Sequence, residues 1–199
     1  MTVDSAEFSR TPTLTGDHVR LEALTHEHAP GLLAAADDDE VFRWLPLVRP
    51  RTRADAEALV ARYLAGPTVP WVQVDLRTGD VVGMTTYYDV DAALRTVAIG
   101  WTWLGRRAWR SGINTEAKLL LLRRAFDDLG CVRVVWHTDI RNERSQTAIA
   151  RLGAVREGVL RKHRIRRDGS WRDTVTFSML DDEWPAARDA LEAKLAAHA

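Results

Sequence analysis

Apolar positions recur with period two in some stretches of the chain and with helical spacing in others, and turn residues separate the stretches. Val19 and Leu21 alternate with Arg20 and Glu22 after the turn signal Thr15-Gly16-Asp17, which predicts a first strand. Thr25 can cap a helix over 27–36 with Leu32 and Leu33 on its buried side, and Asp37 to Glu40 reads as the cap and acidic first turn of a short helix ending near Trp44. Pro46 and Pro50 break the chain there. Thr52 with Asp55 resembles a capping box, and Ala56, Leu59, Val60, Tyr63 and Leu64 keep helical spacing up to Gly66-Pro67. Strands at 71–76, 81–88 and 97–104 then form an antiparallel meander.

The stretch 97–129, VAIGWTWLGRRAWRSGINTEAKLLLLRRAFDDL, organises the rest. Gly105 ends a strand. The turn over 106–114 carries Arg106, Arg107 and Arg110, then small residues that leave main-chain N–H groups uncovered. A helix follows, capped by Asn114 or Thr115, with Glu116 at its positive end, an apolar run over 117–122 and Gly130 as the stop. Bare amides, arginines and a helix N-terminus make an anion site suited to phosphate or pyrophosphate.

A strand at 131–138, with Val132, Val134 and Trp136 on one face, follows as a parallel crossover. The segment 139–153 reads as a short helix with Asn142 as N-cap, Ser145 at the capping-box position and Gly153 as its stop. A hairpin over 155–167 and 171–180 turns at Asp168-Gly169, and Asp181 or Asp182 caps a last helix. Residues 1–13 read as a flexible arm, which leaves 14–199 as one domain.

Composition narrows the function. With 28 basic and 28 acidic residues the formal charge is zero, so no global pull toward DNA or an anionic membrane is implied. The one cysteine, Cys131, excludes an internal disulfide and reads as a small buried hydrophobe. No leader pattern and no membrane-spanning apolar run is present, which reads as cytoplasmic. No cluster of His, Cys and carboxylates has ligand spacing, so no metal is expected. Eight tryptophans exceed what a core of this size needs, which suggests a pocket or interface.

WRSGIN at 109–114 resembles the R/Q-x-x-G-x-G/A loop of the GNAT acetyltransferases, with Gly112 matching. Trp109 stands where that family has Arg or Gln, and Asn114 where it has Gly or Ala. The pattern from Asn142 through Ser145 to Leu152-Gly153 resembles the family's second cofactor segment, with Ala154 in place of the usual aromatic. Order of elements and motifs together resemble the RimJ/RimL branch over 14–184. The resemblance implies an α/β (α+β) GNAT fold: a mixed sheet of about seven strands, splayed between the fourth and fifth, with helices on both faces.

It further implies acetyl-CoA as co-substrate. Amides of Trp109, Arg110, Ser111, Gly112, Ile113 and Asn114 would take the pyrophosphate, and Asn142 and Ser145 would complete the cofactor site. Pantetheine would enter the splay beside Trp103 and Leu104, where a main-chain N–H faces the developing oxyanion. The tyrosine that many members use to protonate the thiolate falls at Ile149, so Ser145 is the candidate acid; the other reading of Ser145 is a capping serine only. The branch's carboxylate base falls at Arg164, which makes the adjacent His163 the candidate base and His137 a second. Trp44, Tyr87 and Trp101 are candidates for an apolar acceptor wall.

The expected reaction is direct transfer of an acetyl group to a primary amine, on a peptide N-terminus or a small molecule. An aminoglycoside acceptor would draw on the acidic run 37–40. The alternatives are a non-catalytic CoA-binding protein and an RNA- or ribosome-associated module using the arginines between 151 and 172. A homodimer is left open.

Overall fold

The computed structural model describes residues 4–197. Eight strands form one mixed sheet: β1 (Leu14–Thr15), β2 (Val19–Ala23), β3 (Val69–Asp75), β4 (Val81–Asp91), β5 (Thr96–Leu104), β6 (Arg133–Asp139), β7 (Val155–Ile165) and β8 (Trp171–Leu180). Their spatial order is β1-β2-β3-β4-β5-β6-β8-β7, and only β5 and β6 run parallel. Without the two-residue β1 there are seven strands, and the parallel pair is the fourth and fifth. The helices are α1 (Ala29–Ala35), α2 (Arg53–Leu64), α3 (Ile113–Arg123), α4 (Glu143–Ala150) and α5 (Trp184–Ala196).

Two hydrophobic cores sandwich the sheet. One gathers Leu121, Leu122 and Leu191 from α3 and α5 with Val134 and Met179; the other gathers Leu32 and Val60 from α1 and α2 with Met84 and Trp103. Helices therefore cover both faces, as apolar sheet faces require. The Thr52–Asp55 capping box is formed as the sequence predicts: Asp55 N donates to the Thr52 hydroxyl at 3.2 Å and Thr52 N to the Asp55 carboxylate at 2.9 Å.

The feature that makes a site is the seam between β5 and β6. It pairs only Thr96 with Arg133, Val97 with Val134 and Ala98 with Val135, after which the strands diverge. On its other edge β5 carries a bulge, where Trp101 and Thr102 together oppose Thr85 and Trp101 takes φ +50°. That bulge turns the second half of β5 away from β6.

Three expectations are corrected. The segment expected to be a loose arm is docked over its described part, residues 4–13, since Phe8 is buried and Arg124 donates to the Glu7 carbonyl and carboxylate at 3.1 Å each. Trp71 Nε1 also donates to Pro12 O at 3.0 Å; residues 1–3 lie outside the described residues. The helix expected over 27–36 is a 3-10 turn, His26–His28, running into α1. The last helix has Glu183 rather than Asp181 or Asp182 as N-cap, with Pro185 opening its first turn.

Candidate active site

A cleft of about 1360 Å³ opens where β5 leaves β6. Its walls bring in Trp44, the end of α2, Tyr88 of β4, the turn before α3, the first turns of α4 and the β7–β8 hairpin. Arg62, Arg110, Arg144, Arg164 and Arg172 line it against only Asp89 and Asp139, and Asp139 is already paired with Arg166 at 2.6 Å. A neutral chain thus presents a locally basic cleft, which suits an anionic ligand.

The turn before α3 is held from three sides. Asp37 accepts from Arg106 N at 2.8 Å and Arg107 N at 3.4 Å, Ser111 Oγ donates to Ala108 O at 2.6 Å, and Trp109 Nε1 donates to Leu104 O at 2.9 Å. Arg106 is turned back to Asp38 at 2.6 Å, and Arg107 donates to Ala34 O, so these two arginines are committed elsewhere and Arg110 alone of the three lines the cleft. Gly112, not Asn114 or Thr115, is the N-cap. Because Glu116 N makes the first helical bond, to Gly112 O at 2.9 Å, the amides of Ile113, Asn114 and Thr115 point out of the helix without helical acceptors. Ile113 buries its side chain in the core and can offer only its amide, whereas Asn114 lines the cleft. The Trp109 ring lies under the Arg144 guanidinium at 4.0 Å, which ties this turn to α4.

Asn142 caps α4 through Oδ1, which accepts from Ser145 N at 3.1 Å. The reciprocal capping-box bond is not made: Asn142 N donates instead to Asp139 O at 2.9 Å. The Ser145 hydroxyl, on the cleft wall, is therefore free of a capping duty. Trp103 and Leu104 also line the cleft, but the Trp103 ring packs on Phe42 with centroids 5.0 Å apart, and the Leu104 carbonyl is taken by Trp109.

Of the three residues expected to form an acceptor wall, Trp44 and Trp101 line the cleft and Tyr87 does not. Tyr87 is 1% exposed, stacks edge-on against Trp71 and gives its hydroxyl proton to Leu121 O, beneath α3. Strand alternation gives the opposite face to its neighbour. Tyr88 is the cleft residue, its hydroxyl 2.9 Å from His137 Nδ1. His163 lies beyond, its ring centroid 6.1 Å from that of His137. Burial, with Arg164 and Arg172 nearby, holds both histidines below the ordinary 6.5, so they are neutral at pH 7 and able to accept a proton.

The remaining charged segments are less free than the sequence suggests. Arg166 pairs with Asp139, and Arg167 donates to Leu47 O at 2.7 Å and Phe42 O at 3.2 Å. In the acidic run, Asp37 and Asp38 hold the turn before α3, and Asp39 pairs with Arg51 at 2.9 Å.

Two charged residues of α3 lie on the stretch read as helix dipole and apolar run. Glu116, 4% exposed, accepts from the amides of Asp17, His18 and Val19 at 2.8, 2.7 and 2.7 Å, which locks the β1–β2 turn to α3. Lys118 interrupts the expected apolar face over 117–122: it is 6% exposed, and Nζ donates to Thr102 Oγ1 at 2.6 Å and Thr85 Oγ1 at 3.0 Å. A lysine inside an apolar helical run was the only available signal for it.

Comparison with known proteins agrees with this geometry. Residues 18–155 match the family described as "Acetyltransferase (GNAT) domain". The chain is 26% identical over 175 residues to the uncharacterized N-acetyltransferase YoaA of Bacillus subtilis (strain 168), covering 85% of this chain and 97% of that protein. It superposes on a GCN5-related N-acetyltransferase from Brucella melitensis with TM-score 0.90 and 32% identity, covering 94% of this chain and 86% of that one. Mycobacterium smegmatis RimJ in complex with CoA-disulfide shares the fold, with TM-score 0.76 and 24% identity over 88% of each chain. The chain belongs to the GNAT acetyltransferase family and is an acyltransferase of the kind that draws on acetyl-CoA. Among the described residues, no helix is long and apolar enough to cross a membrane.

Proposed function

We propose that this protein transfers the acetyl group of acetyl-CoA directly to a primary amine, on a peptide N-terminus as in the RimJ/RimL branch or on a small molecule. The observation that carries this reading is the fork between β5 and β6, with the uncapped amides of α3 at one end and two neutral histidines at the other. Amides of Ile113 and Asn114, with Arg110, take the pyrophosphate, and the fork takes the pantetheine arm. The neutral α-amine attacks the thioester carbon, its surplus proton passes to His163 or to His137, which Tyr88 orients, and the C–S bond then breaks with its electron pair leaving on sulfur. Ser145 hydrogen-bonds the departing sulfur from the α4 side. Trp44 and Trp101 wall the acceptor.

An α-amine, with a pKa of about 7.8, is partly neutral at pH 7, whereas a lysine amine at about 10.4 is not, so peptide N-termini should react faster than lysine side chains. The test is thiol release from acetyl-CoA against a panel of peptides and small amines, with Ser145→Ala alongside. Thiol release with at least one amine, slowed in Ser145→Ala at unchanged CoA affinity, supports the reading. CoA binding without thiol release from any amine reduces the protein to a binder.

A further inference from the structure

Lys118 is the charge that the fold leaves unanswered. It stands on the second turn of α3 and reaches to the bulge of β5, where its Nζ and the hydroxyls of Thr85 and Thr102 form a closed triangle of 3.0, 2.6 and 2.8 Å. Two of its three N–H groups are used there, and no third protein acceptor is present among the described residues. No carboxylate lies within ion-pair distance of it among those residues. Of the two carboxylates on the cleft, Asp139 is bound to Arg166, and neither approaches Lys118 as a partner.

On the other arm of the fork, Trp136 of β6 is buried and lines the same cleft, and its Nε1 has no hydrogen-bond partner among the described residues. Lys118 thus keeps one N–H unused on one side of the fork and Trp136 has no acceptor on the other; Trp103 Nε1 and Arg172 Nε, on residues that also line the cleft, are likewise unpartnered among the described residues. A buried cation without a counter-charge and a buried N–H without an acceptor each cost stability unless something arrives to satisfy them.

We infer that Lys118 supplies the counter-charge, and the Trp136 N–H a hydrogen bond, for the negative charge that acyl transfer creates in the fork, first on the carbonyl oxygen and then on the sulfur. This rests on the acetyltransferase reading given above. When the amine nitrogen bonds to the carbonyl carbon, the carbonyl π electrons move onto oxygen; when the C–S bond breaks, its electron pair leaves with sulfur. The amine proton goes to the histidine base, and the thiolate left behind is paired with the Lys118 ammonium and hydrogen-bonded by Ser145. Burial lowers the lysine to about 7 in the free protein, so it can hold its proton once an anion is adjacent and yet needs little charge when none is.

The experiment compares the full-length protein with Lys118→Met and Trp136→Phe. One measurement is kcat and KM with acetyl-CoA and the best amine found. The second is the ultraviolet absorbance of the CoA thiolate, titrated with pH for CoA bound to each protein. With the assignment correct, the wild type holds bound CoA as thiolate with an acid constant about tenfold above that of free CoA, and Lys118→Met loses that gain. Its kcat falls about 100-fold while KM for acetyl-CoA stays within about threefold, since the missing charge acts in the transition state. Trp136→Phe keeps an apolar aromatic ring but removes the N–H together with the five-membered half of the indole, and gives a smaller loss in kcat of about tenfold. If both variants match the wild type in turnover and in thiol titration, the assignment is wrong while the transferase reading stands. If the wild type neither binds CoA nor releases thiol, both fall. Should Lys118→Met not fold, Trp136→Phe decides by the same two readouts.

Discussion

Replacing Lys118 by Met should stabilise the protein, and by an amount that depends on pH. The side chain is 6% exposed, has no acid partner, and its pKa drops from the ordinary 10.5 to about 7 through burial alone. The unfolded chain keeps this proton up to its ordinary pKa, and the folded chain releases it near neutrality. Between those values the unfolded state binds more protons, so raising the pH stabilises the wild type; below about 7 the full cost of the buried charge is present. That cost has a ceiling of about 5 kcal/mol. Integrating the linkage from about pH 7 to about pH 9 gives a gain of about 2 kcal/mol for the wild type and none for the variant. Thr85 and Thr102 are 2.8 Å apart and satisfy one another when the amine is gone, so the Met side chain leaves no orphaned hydroxyl. Calorimetric melts at the two pH values should therefore show Lys118→Met melting higher at neutrality and the wild type closing the gap by about 4–8 °C in base. A variant that melts lower at neutrality, or two pH curves that run parallel, would refute the reasoning.

The remaining predictions test other parts of the molecule. Glu116→Ala strips three amides of their acceptor, that of Val19 buried and those of Asp17 and His18 partly so, and should cost about 3 kcal/mol, read as a lower melting temperature. Gly16→Ala should fail similarly, because a Cβ there would meet the Glu116 carboxyl carbon at 2.2 Å. Tyr87→Phe should lower stability by about 1 kcal/mol with kcat unchanged, whereas Tyr88→Phe should lower kcat and leave the melt nearly unchanged, since only the latter hydroxyl faces the cleft. With both histidines held below 6.5, kcat/KM expressed per unprotonated amine should fall as the pH drops through those lowered values. A side-by-side profile of His163→Asn and His137→Asn identifies the base as the variant whose acid limb vanishes.

What could be read from the chain beforehand follows from the range of the interactions involved. The Thr52 capping box, the Asn142 cap and the Gly153 stop are local, each fixed by residues within a turn, and all three are formed. Tyr87 and Tyr88 alternate to opposite faces of β4, and nothing in the sequence marks which of the two meets the cleft. Phe8 and Glu116 were missed for another reason. Phe8 packs into the main core, and Glu116 finds amides 97 to 99 residues away, so neither role leaves a periodic signal nearby. Lys118 broke the apolar run openly, yet only the tertiary fold brings Thr85 and Thr102 to meet it.

The seam of three residue pairs between β5 and β6 makes the sheet a hinged book rather than a board. Strands β1 to β5 form one cover and β6 to β8 the other, and beyond Ala98 no backbone bond bridges them. Any molecule that spans the opening acts as a splint across the spine, so occupancy and mechanical integrity become one quantity. Proteolytic resistance and deuterium uptake along residues 99–104 therefore report on saturation as directly as turnover does.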